Sequence, residues 1–225
     1  MEKEFNKKWF ESRGLEPLKY QQNLIIDVIN SLDTQSNPVI AAASPSAGKT
    51  VMSMFIAEHY IQQGLKVLVL THGTQVIRDN YAKELDIHNH AINYQIITKE
   101  NRVFDDNMDM YITLPQTLLR QRNLPKIDII IVDEAHQFYK ADMVQNIIKK
   151  TKPSMQLLLT GTPSIFIKEH KDFPLYAISM IEVYNQGRIS DFHIELCSST
   201  YDIRNNDFNQ FGDISTSSST RLNEI

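Results

Sequence analysis

With 225 residues, 42% of them hydrophobic, the chain can bury one good core and a small appendage, and two complete domains would be crowded. A net charge of -4 and a pI near 6.0 exclude bulk attraction to nucleic acid or anionic membrane, so any nucleic-acid site has to be a local groove. A single cysteine, Cys197, excludes an internal disulfide and a cysteine-based zinc cluster; with no signal-like or membrane-spanning apolar run, a cytoplasmic chain is expected.

Residues 4–13 read as a short polar helix carrying Phe5, Trp9 and Phe10, stopped by Gly14. Leu18, Leu24, Ile25, Val28, Ile29 and Leu32 recur at helical spacing, which predicts an amphipathic helix over 19–32. A polar loop to Asn37 follows, and Pro38 opens a strand at 39–43. Gly48-Lys49-Thr50 opens a helix over 49–63, ended by Gly64. KVLVL at 66–70 is a continuous apolar strand, as in a parallel sheet covered on both faces. After a turn at 71–74, a helix is expected over 74–85, then strands at 93–97 and 109–113. Thr113 and Pro115 mark the start of a short helix at 114–121. IDIIIVDEAH, 127–136, is the most apolar strand and ends in charge; a helix at 140–150, a strand at 155–160 and a turn at 161–163 follow. Residues 179–186 read as a helix stopped by Gly187, and 191–197 as a strand. From 199 to 225 Ser, Thr, Asn and Asp dominate, which reads as a polar linker or tail. Lys149, Lys150 and Lys152 form a basic cluster that reads as a solvated helix end.

Strands alternating with helices imply an α/β fold, a mostly parallel central sheet with helices on both faces. Ligands bind such sheets at the carboxyl ends of the strands. The turns at 43–50, 71–74, 113–116, 133–136 and 160–163 all leave those ends and should share one rim.

Two stretches carry chemistry. In VIAAASPSAGKT, 39–50, a small residue, four more and then G-K-T fit the phosphate-cradling pattern, with Ala43 in the first glycine's place. Backbone N–H groups of Ser44, Ser46, Ala47 and Gly48, with Pro45 in the same turn, and the helix N-terminus suit a triphosphate. Lys49 is placed for the β- and γ-phosphates, and the Thr50 hydroxyl for Mg²⁺. In Asp133-Glu134-Ala135-His136, Asp133 is placed to hold Mg²⁺ opposite Thr50, and Glu134 to orient or deprotonate the attacking water. Each stretch has a bland alternative, a strand-to-helix turn and a solvated strand exit; their pairing across intervening strands weighs against both.

AxxxxGKT followed by DEAH resembles the first RecA-like lobe of superfamily 2 helicases and translocases. Tyr20-Gln21 looks like the stretch in which a glutamine reads adenine. VLVLTHGTQV and ITLPQTLLR are similar to turns that contact the nucleic-acid backbone, which implies Thr71, His72, Gly73, Thr113 and Gln116 as contacts. LLLTGTP resembles the stretch that couples hydrolysis to strand binding, with Gly161 for the usual alanine, which implies that His136, Thr160 and Thr162 link the γ-phosphate site to the strand. The resemblance covers roughly 15–197 and looks closer to restriction-subunit and phage-type DNA helicases than to RNA-processing DEAH proteins.

The resemblance implies a RecA-like P-loop NTPase lobe over 15–198, after a helical extension at 1–14, using ATP and Mg²⁺ and acting on DNA more than RNA. Nothing after Pro163 looks like the second lobe, which would come from the same full-length chain or a partner. Hydrolysis by this lobe alone should be slow, since a missing arginine finger costs about 10³-fold or more. An RNA helicase lobe and a nucleotide-gated binding module that does not hydrolyse stand as alternatives, and no membrane partner is expected.

Overall fold

Period-two alternation along short apolar strands decides the architecture. The computed structural model describes residues 10–187 apart from 13, 17, 35–37, 45, 74, 89–91, 119, 120, 122, 162 and 163. These residues lie in a unit spanning Met1–Ser190; the remainder, Asp191–Ile225, lies outside the described residues, as do most of the helix read at 4–13 and the strand read at 191–197. The elements in chain order are α1 (Lys19–Thr34), β1 (Val39–Ala43), α2 (Lys49–Ile61), β2 (Val67–Leu70), α3 (Gln75–Ile87), β3 (Tyr94–Ile97) and β4 (Met110–Thr113). They continue with α4 (Pro115–Leu118), β5 (Ile129–Val132), α5 (Ala135–Phe138), α6 (Asp142–Thr151), β6 (Met155–Thr160), α7 (Ser164–Glu169), β7 (Leu175–Ile178) and α8 (Met180–Asn185).

The strands form one seven-stranded sheet in the order β3-β4-β2-β5-β6-β1-β7, and every pairing is parallel. Val67, Val69, Ile129, Ile131, Leu157 and Leu159 point to one face, where α1, α2 and α3 pack. Leu68, Leu70, Ile130, Val132 and Leu158 point to the other, covered by α4, α5 and α6. Burial on both sides explains why these strands read as continuous apolar runs. No described helix is long and apolar enough to cross a membrane.

Several boundaries move for identifiable reasons. The strand read at 127–136 pairs only over Ile129–Val132, because Glu134 takes a left-handed turn (φ 49°) and α5 begins at once. The Thr113 hydroxyl is turned away from the start of α4, its one proton shared between the Ile97 carbonyl at 3.1 Å and the Leu114 carbonyl at 3.3 Å. β7 is an addition to the strands expected from the sequence: the short apolar run Leu175–Ile178 pairs with β1 from Ile40↔Leu175 to Ala43↔Ile178 as an edge strand, with Leu175 and Ala177 exposed. In α6, Asp142 in the first turn and Lys149 and Lys150 in the last complement the helix dipole, which accounts for the basic cluster.

The strand order puts β6 between β1 and β5. The exits of β1, β6 and β5 therefore stand side by side, although they are far apart in sequence.

Candidate active site

Beyond β1 the chain turns through two left-handed residues, Ser46 (φ 66°) and Gly48 (φ 84°), with Ala47 N–H donating to the Ser44 carbonyl at 3.2 Å. Glycine meets no steric penalty there. α2 starts at Lys49 with no side-chain cap at Gly48, so the N–H groups of its first turn and its positive dipole end face outward together. Gln21 fixes this loop from α1: its Nε2 donates to the Ala47 carbonyl at 3.0 Å, while its Oε1 accepts from Leu18 N–H at 3.2 Å.

Two cavities open on either side of the loop. One, of about 370 Å³, is lined by Ser44, Ser46, Gly48, Lys49, Thr50, Val51, Glu84, Asp133 and Glu134. The other, of about 410 Å³, is lined by Phe10, Gly14, Leu15, Glu16, Leu18, Tyr20, Gln21, Ser46 and Val51. Ser46 and Val51 wall both, so a polar chamber adjoins a more apolar one across a shared rim.

The Lys49 ammonium lies 3.4 Å from the Ala43 carbonyl and 3.5 Å from Glu134 Oε1. It reaches Glu134 across the exit of β6, where Gly161 has no side chain: a Cβ there would stand 2.7 Å from Lys49 Nζ. His136 Nδ1 sits 3.0 Å from the Thr160 hydroxyl and 3.5 Å from Glu134 Oε2. Asp133 is buried, and its pKa is pushed up to about 6, first by burial and then by Glu134; the Glu134 N–H and Lys49 oppose this only in part.

Glu84, Asp133 and Glu134 line the polar chamber with one ammonium, that of Lys49, and a buried carboxylate whose pKa is pushed up to about 6 is short of positive charge, which a divalent cation would supply. Among the described residues no three carboxylates, histidines or cysteines are grouped to hold a metal ion by themselves, so a cation here would lean on Asp133, Thr50 and phosphate oxygens. Ser44 Oγ, at the mouth of the loop, is buried without a hydrogen-bond partner, as a phosphate oxygen would supply. Thr50, on α2, and Asp133, after β5, both line the chamber.

The structure thus brings Gln21, Ser44, Ser46, Ala47, Gly48, Lys49, Thr50, Asp133, Glu134, His136 and Thr160 into one neighbourhood. Pro45 and Thr162 lie outside the described residues. Among the rim residues, Gly73 and Gln116 are exposed and His72 is half-buried with its ring 5.1 Å from that of Phe138. Thr71 and Thr113 are buried, with Thr71 N–H donating to the Thr113 carbonyl at 3.0 Å; the Thr113 hydroxyl is turned to the Ile97 and Leu114 carbonyls, whereas Thr71 Oγ1 has no hydrogen-bond partner. Glu84 in the polar chamber was missed; its sequence neighbourhood offers only helical spacing, with nothing that points to phosphate.

Residues 14–165 match the family described as type III restriction enzyme, res subunit. Comparison with curated protein sequences gives no significant match. Among solved structures, the Sulfolobus solfataricus SWI2/SNF2 ATPase core in complex with dsDNA is similar with a TM-score of 0.58 at 19% identity, over 65% of this chain and 32% of that one. The UvsW helicase of bacteriophage T4 is similar with a TM-score of 0.57 at 16% identity, over 79% of this chain and 69% of that one. The type ISP restriction-modification enzyme LlaGI, solved as a nuclease-deletion mutant with a DNA substrate mimic, gives 0.59 at 13% identity, over 76% of this chain and 20% of that one. The chain therefore spans about a third of the SWI2/SNF2 core and a fifth of the LlaGI enzyme.

Proposed function

The chain belongs to the family of the type III restriction enzyme res subunit, its fold is the RecA-like lobe of superfamily 2 helicases, and on that premise we propose that it binds Mg–ATP and hydrolyses it as the first motor lobe of a DNA helicase or translocase. One observation carries the reading: Lys49 on α2 and the Asp133–Glu134 pair after β5 border one chamber across Gly161.

In this reading the apolar chamber beside Gln21 takes the base and the polar chamber takes the phosphates. The N–H groups at the start of α2 and the Lys49 ammonium receive the β- and γ-phosphates. Thr50 and Asp133 would hold Mg²⁺, which would neutralise charge on the phosphates. Glu134 accepts a proton from a water as that water attacks the γ-phosphorus, the bond to the β-phosphate oxygen breaks, and ADP leaves. His136 touches both Glu134 and the buried Thr160, which suits it to pass the state of the γ-phosphate towards the rim. His72, Gly73 and Gln116 present ring, backbone and amide there for a sugar-phosphate chain, and Thr162 would extend the coupling path. DNA is favoured because two structures of like fold were solved with it. The arginine finger would come from a second lobe.

Single-turnover phosphate release from Mg–ATP tests this. The chain should hydrolyse slowly but measurably, and Glu134→Gln should abolish release while nucleotide still binds. A Glu134→Gln variant as fast as the wild type would rule out the assignment.

A further inference from the structure

One buried hydroxyl pair plays no part in the chemistry above, yet lies between its two ends. Tyr81, in the middle of α3, is buried, and its hydroxyl contacts that of Ser53 on α2. Ser53 Oγ donates to the Thr50 carbonyl at 2.7 Å. A serine hydroxyl carries one proton, and here it is spent on Thr50; Tyr81 is therefore the donor to Ser53. The chain of contacts runs from α3 through two hydroxyls to the first turn of α2, the turn that carries Lys49 and Thr50. Burial, with the Asp133 charge adding to it, holds the Tyr81 phenol protonated, so its hydroxyl keeps the proton it donates. Glu84, one turn further along α3, lines the polar chamber itself.

The other end of α3 lies at the rim. The helix starts two residues after Gly73, on the turn that follows β2. A helix of this length moves as a stiff unit, and buried polar contacts hold it in discrete arrangements. Any displacement of the rim turn by a bound strand is therefore delivered to Ser53, Thr50 and the edge of the phosphate chamber.

We propose that Tyr81 is a positioning residue that couples strand binding at the 71–74 turn to Mg–nucleotide binding at Thr50 and Asp133, through its hydrogen bond to Ser53. The proposal rests on the ATP-binding reading above, and goes beyond it in assigning α3 as the element shared by both sites.

The test is equilibrium titration of the full chain with a non-hydrolysable Mg–ATP analogue, with and without a saturating single-stranded DNA oligonucleotide. In the wild type, DNA should change the nucleotide affinity by about fivefold or more, with the reciprocal change in DNA affinity that linkage demands. Tyr81→Phe deletes only the hydroxyl. It should bring that ratio to within about twofold of one, while each ligand alone binds within about threefold of wild type. Ser53→Ala should do the same, and the double variant should be no worse than either single one. A Tyr81→Phe chain that keeps the wild-type ratio overturns the proposal, as does one in which nucleotide affinity falls with the ratio intact. A wild-type chain that binds both ligands without coupling also overturns it and leaves the ATPase reading standing. No binding of the Mg–ATP analogue by the wild type overturns both.

Discussion

Lys49 and Glu134 meet across a glycine: the ammonium is 3.5 Å from Oε1, at a place where any side chain on Gly161 would intrude. The lysine that should hold phosphate is held by the residue that should activate water. A triphosphate entering the chamber has to take Lys49 from that partner.

Glu134→Gln should therefore tighten nucleotide binding as well as stop turnover. A partly exposed ion pair is worth about 0.5–1 kcal/mol, so releasing Lys49 should strengthen Mg–ATP binding about two- to fivefold. Loss of a negative charge from the chamber acts in the same direction. Titration with a fluorescent ATP analogue reads the change, and weaker binding by this variant would contradict a Lys49 held by Glu134.

Gly161→Ala examines the same meeting place. The added methyl would press on Lys49 Nζ, the tip of a flexible chain, so the lysine can swing into the chamber with little cost to the fold. Stability should change by less than about 0.5 kcal/mol, as for substitutions outside the packed core. The benefit of Glu134→Gln to nucleotide affinity should then shrink, because Lys49 has already left its partner. Equal gains with and without the Gly161→Ala change would show the two positions to be independent.

The two loops that meet at the chamber stood out because G-K-T and D-E-A-H each end an apolar run, and strands buried on both faces read as such runs. Lys49, Thr50, Asp133 and Glu134 needed only the parallel topology to converge. The burial of Thr71 and Thr113 was not legible, because a threonine at a strand exit looks the same whether its hydroxyl faces outward or, like that of Thr113, bonds to the Ile97 carbonyl. Tyr81 and Glu84 were silent for another reason. Their part depends on which face of α3 meets α2, and helical periodicity marks that face only as buried. β7 was passed over although Leu175–Ile178 is apolar throughout, because a four-residue run has no length to tell strand from loop and its place at the sheet edge is set only by pairing with β1.

Asp133 should make the nucleotide-free protein less stable as pH rises. Its folded pKa of about 6 lies above the ordinary 3.8, so the folded state holds this proton more tightly than the unfolded chain. The contribution is favourable at low pH, is lost between about pH 4 and pH 6, and leaves a fixed cost on the order of 3 kcal/mol above that window. Asp133→Asn removes the buried charge. At pH 7.5 it should melt several degrees above the wild type, with the difference falling to about half by pH 5. The same variant should lose the Mg²⁺ dependence of nucleotide binding. A variant less stable than wild type at pH 7.5 would mean that the carboxylate is well compensated in the fold.

Gly48 and Gln21 supply the last prediction, because the conformation of one depends on the amide of the other. Gly48 has φ 84°, and a Cβ there would stand 2.7 Å from Gln21 Nε2. Gly48→Ala therefore carries two penalties: left-handed strain of about 1–2 kcal/mol, and expulsion of an amide held by Leu18 and Ala47. Gln21→Ala removes the second obstacle and leaves the first. In the Gln21→Ala background, Gly48→Ala should cost less, in both thermal stability and nucleotide affinity, than it does in the wild type. A coupling of about 0.5 kcal/mol or more is expected from residues in contact. Strict additivity would mean that the amide moves aside freely, and that Gln21 does not hold the phosphate loop in shape.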